Sequence, residues 1–386
     1  MAMNMYIGGV DGLPKRVKKA YIGVGGVARP CWYSQLEYYG VLDNPLNVAR
    51  QNLAATTVGR NRAIFAGGTN SSSSIVNTVD VYSHTLSHTT TEGLTDARDC
   101  LAATTVGSYA LFGGGKISSS LPLGTVDAYT SSLTHKTFSA FESGTARYNL
   151  AATTANDIAV FAGGYDGTNY KVSVNMYNTT GTNLYLNGNI GALSLTVARD
   201  RLAATSIGNY ALFGGGYQGN NISSDTIDVF DCSSCTQVSV PSTCKLSSAR
   251  HQLAATSIGN YALFGGGVNN SLSTPDRANV DVFDSSLTRF RTTELSLARH
   301  SLSGTTVGDY AIFAGGRVSI GGLPTNTVDV FDESLVRVSS FVFTVPNLTY
   351  AKSNMAATTV GKYALFGGGI GNTLVVTNII EGYVVP

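Results

Sequence analysis

The sequence predicts an all-β, seven-bladed β-propeller of four-stranded blades, its last blade closed by an N-terminal strand, with a short N-terminal β-hairpin arm. Three observations predict it. A block reading A-R-x-x-L-A-A-T-T-V-G-x-Y-A-L-F-G-G-G recurs with drift from Ala49, Ala97, Ala146, Ala198, Ala249, Ala298 and Ala351, 48 to 53 residues apart. Each block runs through a variable loop into T-V-D-V-[YF]-D and a polar turn, so each repeat is one unit that must stack on neighbours to bury its apolar faces. The last unit stops without a fourth strand, and a spare strand precedes the first.

Taken from the N-terminus, residues 1–35 lie outside the repeat. They hold a short duplication, MYIGGVDGLPKRVK then KAYIGVGGVARPCW, and each half reads as a hairpin of apolar residues round a Gly-rich turn. The basic cluster Lys15, Arg16, Lys18 and Lys19 reads as a solvated turn or as a contact for an acidic partner. Residues 36–42, LEYYGVL, sit before Val48-Ala49-Arg50, where a fourth strand sits in every other unit. They are expected to complete the seventh blade and remove its exposed edge. The division is therefore an arm, 1–35, and a propeller, 36–386.

Within a unit, strand a is L-A-A-T-T-V, residues 53–58 in the first. Its small residues, such as Ala54-Ala55 and Ala254-Ala255, suit innermost strands crowded round an axis. Strand b is Y-A-L-F, as at 109–112, and ends in glycines such as Gly113, Gly114 and Gly115, where the chain turns while another backbone passes close by. Strand c is T-V-D-V-F, as at 327–331, and strand d is a frayed polar segment, as at 289–294. Strands a and b are almost wholly apolar or small, as strands covered on both faces require.

A cation opens each unit: Arg50, Arg98, Arg147, Arg199, Arg250, Arg299 and Lys352. An acid sits on strand c at Asp80, Asp127, Asp228, Asp281, Asp329 and Glu381, with Asn175 in the third unit. Repetition in every blade fits a structural ion pair better than a ring of catalytic acids.

Composition excludes several classes. With 25 basic and 24 acidic residues the net charge is +1, so no basic field exists to hold nucleic acid or a membrane surface. No stretch approaches a membrane span, and the N-terminus lacks the apolar run of a signal peptide, so synthesis in a cytoplasm is expected. Five cysteines do not make a disulfide framework, although Cys232, Cys235 and Cys244 cluster in one turn, where a local disulfide is expected, its pairing open. No cofactor is expected.

The glycine run after an aromatic-apolar strand, the V-x-V-[YF]-D strand and the Arg before strand a together resemble kelch propellers over residues 36–386. One departure is that kelch units carry a Trp on strand d, whereas the single Trp here is Trp32 in the arm. The segment K-K-A-Y-I-G-V-G-G-V-A-R resembles short repeats near the ends of tailed-phage and prophage tail-associated virion proteins. That resemblance implies an arm docked on other virion proteins, several copies in a larger assembly, and a propeller displayed for host adsorption or decoration. Two other classes stay open: a bacterial kelch-type protein-interaction module, and a propeller enzyme of the copper-oxidase or sialic-acid type. The copper class needs Tyr, His and a cross-linked Cys, a set no motif here supplies, so a non-enzyme is expected.

Strand a begins and strand b ends on one face, so the d–a and b–c loops share it. The b–c loops vary most, and varied loops on a rigid scaffold suit recognition. Tyr165, Asp166, Asn169, Tyr170, Tyr217, Gln218 and Asn220 come from adjacent units and suit a host-surface sugar or protein epitope, although Asn and Gly are also plain turn residues. A channel-mouth ring is expected from Gln51, Asp99, Tyr148, Asp200, His251, His300 and Ser353. Asp200, His251 and His300 have metal-ligand chemistry, but equivalent positions of adjacent blades lie too far apart to share an ion, so no metal is expected.

Overall fold

Each repeat folds as its alternation of apolar strands and polar turns dictates. In the first, Ala54–Val58 pairs with Arg62–Ala66, that strand with Val79–Ser83, and that with His88–Thr90, all antiparallel. The same a-b-c-d order recurs from Ala102–Val106, Ala203–Ile207 and Ala254–Ile258. Three strands are described in the third and sixth blades, with bridges Tyr177–Asn183 and Phe331–Arg337 beginning a fourth. The computed structural model describes residues 35–118, 121–142, 144–184, 193–338 and 345–386, with the backbone of Tyr6–Gly8, Pro14–Arg16, Lys19–Val24 and Val27–Tyr33.

The seventh blade closes as the sequence predicts. Glu37–Val41 pairs with Ile380–Val384, outside Tyr363–Gly367 and Ala356–Val360. Leu36 and Tyr383 join one apolar cluster, and the Tyr38 hydroxyl donates to Glu381 at 2.7 Å. This strand enters from the face bearing the a–b and c–d turns (the turn face) and leaves into the d–a loop of the opposite, loop face. The chain therefore reaches residue 35 on the turn face. The arm contains two hairpins, Tyr6–Gly8 with Pro14–Arg16 and Lys19–Val24 with Val27–Tyr33, one in each half of the duplication. The side chains of Lys15, Arg16, Lys18, Lys19, Cys31 and Trp32 lie outside the described residues.

The core is seven clusters, one between each pair of neighbouring blades. Val58, Ile64 and Val81 of the first blade pack on Phe112 and Tyr129 of the second, for example, and Leu53 and Phe65 pack on Leu365 and Ile380 across the closing interface. A fully buried Leu or Phe contributes about 1.5–3 kcal/mol, so each interface is a small hydrophobic core. The glycine run lets the blades approach. Gly68 (φ +109°) donates its amide to the Arg98 carbonyl at 2.9 Å, and a Cβ on Gly67 would lie 2.5 Å from that same oxygen. The contact recurs at every interface, ending with Gly369 on the Arg50 carbonyl at 2.8 Å.

Two further girdles circle the axis. At five interfaces the second Thr of strand a bonds the first Thr of the preceding blade and donates to a strand-a carbonyl there. Thr105 reaches Thr56 and the Thr57 carbonyl in this way, and Thr57 reaches Thr358 and the Thr359 carbonyl. An innermost strand has no partner on its axial edge, and these hydroxyls satisfy part of that edge. The second girdle is backbone alone. The amides of Asn52, Cys100, Asn149, Arg201, Gln252, Ser301 and Asn354 each donate to the equivalent carbonyl of the preceding blade, at 2.9 to 3.2 Å. All seven residues have φ between +51° and +54°.

Candidate functional site

The repeated charges are scaffold. Arg50 meets Asp80, Arg199 meets Asp228, Arg250 meets Asp281 and Arg299 meets Asp329, each at 2.7 Å; Arg98 meets Asp127, and Lys352 meets Glu381 at 2.9 Å. These side chains are buried, so no substrate reaches them. Each cation also donates to the strand-b carbonyl of Phe65, Phe112, Phe161, Phe213, Phe264, Phe313 or Phe366, at 3.0 to 3.3 Å. Burial pushes every guanidinium below its ordinary value, and the carboxylate partner pushes back.

The acid has further work that the sequence reading missed. It accepts a backbone amide from the loop entering its own blade: Asn47 to Asp80, Thr196 to Asp228, Ser247 to Asp281, Ser296 to Asp329 and Thr349 to Glu381. The signal was present as L-[STN]-x-A-[RK], whose leucines (Leu46, Leu94, Leu195, Leu246, Leu295, Leu348) are buried. Strand d supplies another donor, such as His88 to Asp80 at 2.7 Å, His135 to Asp127 at 2.6 Å and Thr292 to Asp281 at 2.8 Å.

The third blade solves the same problem differently. Arg147 donates to Asn175 Oδ1 at 2.7 Å, and Asn175 Nδ2 donates to both oxygens of Glu142 at 2.9 and 2.8 Å. The missing acid is thus displaced onto the d–a loop. Burial pulls Arg147 down to about 10, with Glu142 acting against it from a distance.

On the loop face, Gln51, Asp99, Tyr148, Asp200, His251, His300 and Ser353 occupy equivalent places, each paired by backbone with the first residue beyond the glycine run of its own blade. The innermost ring is carried one residue later, by the girdle from Asn52 to Asn354. The side chains of Asp99, Tyr148, Asp200, His251 and His300 are mostly buried just outside it. The four polar ones each find a local partner, and Tyr148 packs on Tyr165. Thr69 donates to Asp99 at 2.7 Å, Asn149 to Asp200 at 3.0 Å, His251 Nδ1 meets Ser223 at 3.0 Å and His300 Nδ1 meets Asp276 at 2.7 Å. Burial pulls His251 down to about 4, with Arg201 and His300 adding repulsion, and burial pushes the Asp200 carboxyl up. Among the described residues no group of three or more His, Cys, Asp or Glu side chains is placed to hold a metal ion.

The structure gathers the aromatic candidates. Tyr148, Tyr165, Tyr170, Tyr217 and His251 touch in series across three blades, with centroids 5.7, 4.9, 5.8 and 4.9 Å apart. Tyr165, Tyr170 and Tyr217 are half-buried, as are Asp166 and Gln218, while Asn169 and Asn220 are exposed at the loop tips. The turns that set the row are local: Asp166 Oδ1 accepts the amides of Thr168 and Asn169, and Asn220 and Asn221 both have positive φ. Around the same face the b–c loops expose aliphatic side chains, among them Leu121, Ile222, Leu272, Ile320, Leu323 and Leu374. Among the described residues the a–b turns of the opposite face expose no large apolar side chain.

The expected disulfide is not formed: Cys232, Cys235 and Cys244 are free thiols. Cys232 packs into the core between the third and fourth blades, and Cys244 into that between the fourth and fifth, so those two point to opposite sides of their sheet.

Fold and site define a seven-bladed propeller with its scaffold charges sealed inside and a tyrosine row on its loop face. No protein-family model matches the chain, and no curated protein matches it.

Proposed function

We propose that this chain is a virion component of a tailed phage or prophage, kelch-like in its repeat, that docks through residues 1–35 and presents its loop face to the host surface. The observation that carries this reading is that residue 35 and the varied loops lie on opposite faces of the propeller. The chain joins the propeller on the turn face, and the varied loops with their tyrosine row lie on the other. A second support is that most of the exposed large apolar side chains lie in loops of that face, where they add apolar contact area to the polar loop residues. The resemblance of the Gly-rich arm to tail-associated repeats is a third. On this reading the protein binds rather than catalyses, acts in several copies on the particle, and carries no cofactor.

Two measurements test it. The chain is expected among the proteins of purified particles, and deletion of residues 1–34 is expected to remove it from them. The labelled chain is expected to adsorb to cells of the host and to compete with the particle. Absence from particles favours a bacterial protein-interaction module instead. Incorporation without adsorption leaves a decoration role.

A further inference from the structure

The tyrosine row lies among charges that cancel. Lys171 Nζ meets Asp166 Oδ2 at 2.5 Å. Arg201 Nε lies 3.6 Å from Asp200 Oδ2, with its guanidinium 5.7 Å from the centre of the Tyr217 ring. Lys116 Nζ stands 4.8 Å from the Tyr148 ring centre, and its backbone pairs with that of Asp99. Lys171 and Arg201 thus lean on carboxylates and Lys116 on a tyrosine ring, while the buried Asp99 carboxylate is held by Thr69. An anionic ligand at Lys171 or Arg201 would draw the cation from Asp166 or Asp200 and leave a largely buried acid uncompensated. A ligand without charge meets no such cost.

The rest of the row has the chemistry of sugar recognition. Tyr170 is tilted 43° to Tyr165 and 78° to Tyr217, so the three half-buried rings form a stepped row. Aromatic faces pack against the C–H faces of pyranose rings, while amides and hydroxyls beside them fix orientation. Gln218, Asn169 and Asn220 adjoin these tyrosines in sequence and supply such groups.

Resting on the recognition reading above, we propose that the row from Tyr165 to Tyr217 binds a neutral, hydroxyl-rich glycan, one without carboxylate, phosphate or sulfate. Stacking supplies the affinity, the border amides read the hydroxyls, and the balanced charges reject acidic sugars.

The test uses the full chain on an array of neutral and acidic bacterial-surface glycans, with hits measured by calorimetry. Hits are expected among neutral glycans alone, with affinity unchanged when salt is raised. Tyr170→Ala and Tyr217→Ala are each expected to weaken binding at least tenfold, while Tyr170→Phe, which keeps the ring, stays within about threefold; melting curves check that all three fold. Hits on acidic glycans, binding that survives both alanine variants, or no hit at all would overturn the proposal. Adsorption to host cells separates the two levels. Adsorption that resists periodate oxidation of surface sugars overturns the glycan and leaves a protein receptor, whereas no adsorption to any cell removes the recognition reading as well.

Discussion

The Asn52 amide donates to the Asn354 carbonyl at 3.1 Å, and this bond closes a ring of seven that links every blade to the next. The ring demands a left-handed backbone at residues that are not glycine, among them Gln252 at φ +53°. Such a conformation costs an ordinary residue about 1–2 kcal/mol and a β-branched one more. Gln252→Gly is therefore expected to hold or raise the melting temperature, and Gln252→Val to lower it by several degrees. Equal effects from both would mean that Gln252 stabilises through its side chain.

Closure of the seventh blade gives a second expectation. Removing residues 1–34 leaves Leu36, Tyr38 and the Glu37–Val41 strand in place, so the melting temperature should stay within a few degrees. Removing residues 1–42 bares the Ile380–Val384 edge and a buried Glu381. That chain should melt far lower and associate through the open edge, as light scattering would register.

The buried pairs respond to breakage rather than to charge itself. Asp281→Ala strands the Arg250 guanidinium and orphans Ser247 and Thr292, at a cost of about 3–5 kcal/mol. In the third blade, Asn175→Asp restores the repeat pattern yet sets a second carboxylate against Glu142. It is expected to destabilise by about 1–3 kcal/mol, and Glu142→Gln added to it should recover most of the loss, which a double-mutant cycle measures.

His251 makes stability depend on pH. Its folded value is about 4 against an ordinary 6.5, so between these limits the unfolded chain takes a proton that the folded chain refuses. Stability is complete above 6.5 and falls as pH drops toward 4, by an amount on the order of 3 kcal/mol. Asp200, pushed up by burial, titrates with the opposite sign but is common to both proteins when the chain is compared with His251→Gln. The variant is expected to show the flatter profile of melting temperature against pH. An unchanged slope would mean that imidazole carries its proton when folded.

Much of the fold could be read from residues because the repeat forces it. The paired glycines after strand b, the cation before strand a and the spare strand at 36–42 are all places where one kind of residue or one pattern is required. What escaped is what backbone alone builds. The axial ring uses Asn52, Cys100, Asn149, Arg201, Gln252, Ser301 and Asn354, and an amide–carbonyl bond leaves no mark on side-chain choice. Strand d looked frayed because its inward task, a donor to the buried acid, falls to residues as different as His88, Gln237, Thr292 and Tyr38. The tyrosine row was legible as composition, but its two ends, Tyr148 and His251, were not, because the sequence placed them in a separate ring. Glu142 was hidden because a lengthened loop moved the acid away from strand c.

The pairing of Glu37–Val41 with Ile380–Val384 also sets a clock. The first strand of the ring leaves the ribosome more than 300 residues before its partner exists. At translation rates of about 5–20 residues per second it waits roughly 17 to 70 seconds. Throughout that time six blades can stack in order, but the ring stays open, with an unpaired edge available to a neighbouring chain. The yield of folded protein should therefore depend on how crowded the polysome is, and slowing elongation near the end of the message should favour exchange of the closing strand between chains.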